Sequence, residues 1–417
     1  MSTSLSRRPV VDDPERWPDV VRPPRTSRLR TAVAERLVRR ALVRLPLYVR
    51  FGTGDALGPG GPLLEVHDPD AFFRRIGAGG LIGFGESYQA GEWDAPDLVG
   101  VLTVLAQNAA DLIPRPLQRL RGMWALRQPD ALRNTPDGAR ANIRRHYDLS
   151  NELFALFLDE TMTYSSAVFR GFPAEWPLLA AAQQRKIDRL LDLAAVREGT
   201  RLLEIGTGWG ELAIRAAQRG ARVTTLTLSA EQRALANERI RAAGLADRVS
   251  VELCDYREAT GRYDAVVSVE MIEAVGEEFW PVYFKALDDR LVPGGRAVVQ
   301  AITMPHERMV ASRDTYTWIQ KYIFPGGLLP STEAIEEVTA AHTSLRVAQR
   351  DGFGAHYAET LRLWRERFTE RADAVAALGF DAVFRRMWTF YLAYSEAGFR
   401  SGYLDVQQTL LTREGTL

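Results

Sequence analysis

The chain has a single cysteine among 417 residues. Cys254 has no intrachain partner for a disulfide, so the fold must be held by its core, as suits a reducing cytoplasm. Neither sign of charge is in excess: 53 Lys and Arg face 53 Asp and Glu. Whole-molecule charge therefore gives no reason to expect nucleic acid or another polyanion. No run of about 18 apolar residues occurs, which argues against a membrane span. The opening stretch MSTSLSRRPVVDDPERW lacks the apolar segment of a signal peptide. No internal repeat is found, and no metal site is expected. What is present is the balance of a folded protein, 46% hydrophobic and 25% charged, at a length that predicts roughly two or three domains.

Residues 1–30 are rich in Pro, Arg and Asp and are expected to form a disordered tail. In TAVAERLVRRALVRLPLYVRFG, Val33, Leu37, Ala41 and Leu45 recur every fourth position, with Arg36, Arg39, Arg40 and Arg44 over much of the remaining surface. This is an amphipathic basic helix stopped near Pro46. It either packs on its own domain with the arginines in water or lies on anionic lipid. Residues 31–115 are expected as a small α+β domain, containing GFGESYQAGEWD and a helix over 95–110. Residues 116–145 are an arginine-rich connector with Trp124, either a surface for phospholipid headgroups or a solvated linker. From about Arg197, strands (RLLEI, ARVTTLTL, RVSVELC, YDAVVSVE, PGGRAVVQAIT) alternate with helices (ELAIRAAQRG, SAEQRALANERIRAAG). That alternation predicts an α/β, doubly wound domain over 146–417, with a helical, aromatic-rich stretch at 358–401.

The sharpest chemical signal is Glu204-Ile205-Gly206-Thr207-Gly208-Trp209-Gly210, between a strand pattern and a helix pattern. Glycine makes the tight turn and lets the backbone approach a ligand. The spacing is not the G-x-G-x-x-G of dinucleotide binders, and no Lys-Ser/Thr follows as in a phosphate loop. Glu204 at the strand end favours an amine or a sulfonium over a pyrophosphate. The pattern resembles motif I of S-adenosylmethionine (SAM)-dependent methyltransferases; read alone, it also fits a structural glycine turn.

Longer segments extend the resemblance. GARVTTLTLSAEQ, CDYRE, RYDAVVSVEMIEAVG, HYDLSNELFALFLDETMTYSSAVF, KYIFPGGLLPS, GFGAHYAETLRLWRERF and FRRMWTFYLAYSEAGFR resemble successive parts of the cyclopropane-fatty-acyl-phospholipid synthase family, from about Gly83 to Gly402. The resemblance implies a class I SAM methyltransferase domain with helical insertions for lipid. By motif position it implies that Gly206 and Gly208 touch the amino-acid part of SAM. Thr227, Leu228 and Gln232 then face its ribose and methionine side, and Tyr256 and Arg257 border the adenine. Tyr164 and Ser165 close the cofactor from water, in a lid segment that begins at His146, Tyr147 and Asp148; His146 is equally well read as a helix cap.

That family methylates the cis double bond of a phospholipid acyl chain, and a bound bicarbonate serves as base. Its ligands are a cysteine in the glycine loop, a glutamate, a histidine and a tyrosine. Here Glu273 and Tyr357 match, Thr207 replaces the cysteine, Gln300 replaces the histidine, and Glu270 replaces a small residue three before Glu273. Either Glu270 does the work of bicarbonate or binds SAM, or bicarbonate is still held through Thr207 and Gln300, which both donate hydrogen bonds. Tyr316, Trp318, Tyr322, Phe353, Trp364, Trp388 and Tyr391 join Tyr357 as aromatics able to face a carbocation, although each also suits a core. The expected product is a 10-methylene chain of the tuberculostearic type, formed by methyl transfer, hydride shift and proton loss; ring closure to a cyclopropane is the alternative. Expected partners are an unsaturated phospholipid, the inner membrane surface, a separate reductase for the methylene, and a second copy of the chain. A SAM- or lipid-binding module without catalysis and a small-molecule methyltransferase are the rival readings. Intact Glu273 and Tyr357 count against the first, and the basic and aromatic segments against the second.

Overall fold

The computed structural model describes residues 14–108, 129, 132–135, 138 and 150–413. The chain forms two compact units, one of residues 1–127, 315–323 and 364–403, the other of 128–314, 324–363 and 404–417. The sequence reading placed 315–323 and 364–403 with the methyltransferase domain; here they belong to the first unit, because the chain returns to it twice.

In the first unit, β1 (Tyr48–Phe51) pairs in parallel with β2 (Leu63–Val66), which pairs antiparallel with β3 (Trp93–Asp94). Helices Arg28–Leu42, Pro69–Gly79, Leu81–Gln89, Leu98–Gln107 and Ala382–Arg400 are its longest. The core is aromatic: Phe84 stacks on Trp93 at 4.7 Å, and Phe390 meets Trp318 edge-on at 4.8 Å. Buried Arg75 is satisfied by Glu92 Oε1 at 2.8 Å and the Val20 carbonyl at 2.6 Å, as a charge out of water requires.

Where the expected tail is described, it is ordered. Pro18–Val21 is helical, and Trp17 is buried with its indole N–H donated to Asp381 Oδ2 at 2.7 Å. The basic helix starts at Arg28, capped by Ser27, and ends at Leu42, short of Pro46. Its apolar stripe is divided: Leu42 and Leu45 are buried, but Leu29 and Val33 are 74% and 50% exposed. The described part of the connector is too small to test that reading, and Trp124 lies outside the described residues.

The second unit is built on a seven-stranded sheet of order β6-β5-β4-β7-β8-β10-β9. The strands are β4 (Arg201–Ile205), β5 (Arg222–Thr227), β6 (Val249–Leu253), β7 (Tyr263–Val269), β8 (Leu291–Thr303), β9 (Leu345–Gly352) and β10 (Asp405–Arg413). β4 to β8 are parallel, and β10 runs antiparallel between β8 and β9. Successive residues point to opposite faces: Leu202 packs with Ile187, Leu190 and Ala213, and Leu203 with Trp280, Tyr283 and Phe284. Both faces are covered, which is why these strands read as continuous apolar runs. The doubly wound expectation therefore holds. β9 and β10 were not legible, because LRVAQRDG and DVQQTLLTR are polar and β10 buries Gln408 and Thr409. Among the described residues no helix is long and apolar enough to cross a membrane.

Asp381 caps the helix Ala382–Arg400 through the Phe384 amide at 2.7 Å while holding the Trp17 indole. Asp381→Ala removes both acceptors and is expected to cost about 1–3 kcal/mol, with Asp381→Asn recovering part of it. Denaturant unfolding of the three proteins checks this.

Candidate active site

The parallel strands end together, and a pocket opens at their carboxyl ends, as doubly wound sheets favour. It is lined by Met162–Ser165, Lys186, Glu204–Trp209, Leu226–Leu228, Gln232, Cys254, Tyr256 and Val269–Met271, with other side chains. Of the residues singled out from sequence, Tyr164, Ser165, Gly206, Thr207, Gly208, Thr227, Leu228, Gln232, Tyr256 and Glu270 meet here. His146, Tyr147 and Asp148 lie outside the described residues.

The glycine loop leaves β4 with φ of +99° at Gly206, +51° at Gly208 and +90° at Gly210, a region that glycine enters without strain. The two central glycines differ. A Cβ on Gly206 would lie 2.7 Å from the Met271 side chain, whereas one on Gly208 would meet nothing within 4 Å. Gly206 is thus needed for packing, and Gly208 borders open volume. Trp209 is buried, stacks near Phe154 at 5.0 Å and donates to Asn151 Oδ1 at 2.8 Å. Arg239 then joins loop to lid, donating to the Trp209 carbonyl at 2.7 Å and the Thr161 carbonyl at 2.9 Å. Sequence reasoning missed this arginine, since nothing in SAEQRALANERIRAAG distinguishes it from its surface neighbours.

On the far side, Ser229 caps the helix Ala230–Ala242, and Thr227 Oγ1 donates to Gln232 Oε1 at 2.9 Å. Tyr256 reaches the pocket, its ring edge-on to Tyr283 at 5.6 Å. Arg257 does not line it. Its guanidinium is held by Asp255 at 2.6 and 2.8 Å.

Burial pushes the Glu204 carboxyl up to about 8, against a Thr225 hydrogen bond and the Lys186 charge, which favour its ionised form. Its Oε2 is buried without a partner among the described residues. A pocket wall that offers an unpaired carboxyl oxygen, beside a backbone with room for a ligand, fits a cationic cofactor such as SAM. The Thr207 hydroxyl pairs with Thr225 Oγ1 at 2.7 Å.

The second cluster centres on Glu270. It follows β7 with φ of +51°, a left-handed conformation that costs an L-residue about 1–2 kcal/mol. Its carboxylate accepts from the Ser166 amide at 3.1 Å, Gln300 Nε2 at 2.8 Å and the Tyr357 hydroxyl at 2.7 Å. Burial raises its pKa, while the Tyr357 hydroxyl, the Lys186 charge and the other donors oppose the rise. Glu273 faces a poorer environment. Burial and the charge of Glu270 push it up to about 8. Its Oε1 accepts from the Ile302 amide at 2.5 Å, and its Oε2 has no partner among the described residues. Burial raises both carboxyls, but more donors oppose the rise at Glu270, while the charge of Glu270 adds to the rise at Glu273.

Tyr357 is the one aromatic from the sequence set that meets Glu270. Trp318, Trp364, Trp388 and Tyr391 are buried side chains of the first unit, and none of the set lines the pocket.

The profile of the mycolic acid cyclopropane synthetase family matches residues 135–409. The chain is 57% identical to tuberculostearic acid methyltransferase UfaA1 of Mycobacterium tuberculosis over the whole of both proteins. It is 33% identical to cyclopropane-fatty-acyl-phospholipid synthase of Escherichia coli, over 84% of this chain and 87% of that enzyme. Among solved structures, mycolic acid cyclopropane synthase CmaA1 complexed with SAH and CTAB aligns with a TM-score of 0.60 at 30% identity, over 68% of this chain and 98% of that one.

Gly208→Val puts a branched side chain into the open volume beside the loop. It is expected to abolish SAM binding by calorimetry while leaving a folded protein, with only the strain of a β-branched residue at positive φ against it. Normal SAM affinity in that variant would show the loop assignment to be wrong.

Proposed function

This chain belongs to the mycolic acid cyclopropane synthetase family, and from that membership we propose that it methylates the cis double bond of an unsaturated phospholipid acyl chain to give a 10-methylene chain. The observation that carries the reading is the Glu270 carboxylate, held by Ser166, Gln300 and Tyr357. The full-length likeness to tuberculostearic acid methyltransferase UfaA1 supports the same product.

Bound SAM supplies an electrophilic methyl group. The residues of the glycine loop and the Met162–Ser165 segment hold and cover it, so that the methyl faces the alkene near contact distance and water is excluded. Carbon–carbon bond formation leaves a cation on the neighbouring chain carbon. A hydride shift carries that charge to the methyl-bearing carbon, and loss of a methyl proton leaves the exocyclic double bond. Glu270 takes the proton, with Tyr357 holding the receiving carboxylate.

Bicarbonate does not fit this arrangement. Gln300 Nε2 and the Tyr357 hydroxyl are already aimed at Glu270, and Thr207 is paired with Thr225. We read Glu270 as a tethered substitute for that anion. A base anchored at a fixed backbone position cannot follow the methyl group, which favours the hydride shift over immediate ring closure. The methylene then needs a separate reductase to become a methyl branch. Membrane contact is supported by the exposed Leu29 and Val33 beside exposed Arg28, Arg30, Arg36 and Arg40.

Lipid from cells expressing the protein is expected to show exocyclic alkene protons by NMR; ring CH2 signals alone would overturn the product and leave methyl transfer standing. Glu270→Gln is expected to lower turnover by about 10²–10⁴ with SAM binding intact, and bicarbonate-free buffer to leave the wild-type rate unchanged. The wild-type rate should fall with acid through a midpoint above the ordinary carboxylate range, because the base must be ionised. Co-sedimentation should favour anionic over neutral vesicles and weaken with salt, at about 1 kcal/mol per basic residue at the surface; equal, salt-insensitive binding would refute the membrane assignment.

A further inference from the structure

We propose that Lys186 is a positioning residue for Glu270: through the Ser165 hydroxyl it fixes the segment whose next amide holds the Glu270 carboxylate, and its ammonium is the countercharge of that carboxylate. The inference rests on the reading of Glu270 as proton acceptor.

Lys186 lies on the helix Leu179–Leu193 and is 1% exposed. Its Nζ donates to Ser165 Oγ at 2.6 Å. Gln183, one turn earlier, donates Nε2 to the Ser165 carbonyl at 2.8 Å and the Thr163 carbonyl at 3.3 Å. The same helix therefore grips the covering segment at three oxygens, and the next amide, of Ser166, donates to Glu270 Oε1. A second route reaches the same oxygen. Gln408 Nε2 donates to the Lys186 carbonyl at 3.3 Å and to Gln300 Oε1 at 3.0 Å, and Gln300 Nε2 donates to Glu270 Oε1. Two hydrogen-bonded paths thus leave position 186 and converge on one carboxylate oxygen; the first runs through the ammonium, the second through the backbone carbonyl that any residue there would keep.

The charges agree with this geometry. The carboxylates that favour the Lys186 ammonium are, strongest first, Glu270, Asp159, Glu204 and Glu211, although burial pushes its pKa down to about 8. Lys186 is the cation among the strongest groups that favour the ionised Glu270, beside the Tyr357 hydroxyl, Gln300 and the Ser166 amide. Glu273, which follows on the same loop, is itself pushed up by burial and by the charge of Glu270. A methionine would fill the same space without the cost of burying an ammonium, so volume alone does not account for lysine here.

The test is the ionisation of Glu270 in the protein without ligand. It is read as a carboxyl band in pH-difference infrared spectra and assigned by its absence in Glu270→Gln. Lys186→Met is expected to move this titration to higher pH by about one unit or more, and the acid limb of turnover with it. Lys186→Arg, which keeps the charge, is expected to stay near the wild type. A carboxyl band that titrates at the same pH in Lys186→Met and wild type overturns the proposal, whatever the activity does. Should Lys186→Met not fold, Ser165→Ala is the second variant. It leaves the ammonium in place and is expected to move the band in the same direction by a smaller amount, and an unshifted band there overturns the proposal as well. A wild type that transfers no methyl to acyl chains would instead count against the function, with the band shift still measurable.

Discussion

A carboxylate taken out of water must be met by donors or it gives up its charge, and this constraint at Glu270 organises the second unit. The residue sits where β7 ends, in a backbone conformation that disfavours any side chain, and its own amide donates to the Gln300 carbonyl at 2.8 Å. Its donors come from three separate places: the segment before the helix Leu179–Leu193, strand β8, and the helix Gly354–Glu370. Each must be held within a few tenths of an ångström for the charge to persist. The strain and the hydrogen bonds are therefore one feature, since the backbone is kept in an unfavourable region only because its surroundings fix the side chain.

The pocket carries acids on two sides, and their environments differ. Glu204 has an unpaired oxygen and a pKa pushed up to about 8, a wall poised for a positively charged ligand. Glu270 has three donors, the Ser166 amide, Gln300 and the Tyr357 hydroxyl. Glu273 shares the burial of Glu270 without its donors, and the charge of Glu270 pushes it up further. Neighbouring carboxyl groups in unlike environments are a familiar device of acid–base chemistry, and here the difference follows first from the Tyr357 hydroxyl, then from the Lys186 charge and Gln300, which oppose the rise at Glu270.

The cover over the pocket is tied down by part-buried Arg239 and by buried Gln183 and Lys186. Arg239 links it to the glycine loop, and Gln183 and Lys186 link it to a helix at the back of the sheet. Such a cover is pre-organised, which limits the entropy lost when a ligand is enclosed.

The sequence by itself determined the sheet and the loop. β4 to β8 announce themselves through apolar runs because they are covered on both faces, and the three glycines at 206, 208 and 210 stand out because each takes a positive φ. The order of motifs also fixed the family, since long matching segments leave little room for coincidence. The sequence did not determine which polar groups meet. Glu270 and Tyr357 are 87 positions apart and Gln300 and Gln408 are 108 apart. No local pattern couples such residues, because side-chain partners across a sheet are chosen by strand order and register. The return of residues 364–403 to the first unit was hidden for the same reason: an amphipathic helix shows that it has an apolar face, and only the folded chain decides what that face covers. Thr207 shows both halves. Its place in the loop was evident, but its hydroxyl pairs with Thr225 on the neighbouring strand, a partner that only strand order and register could choose.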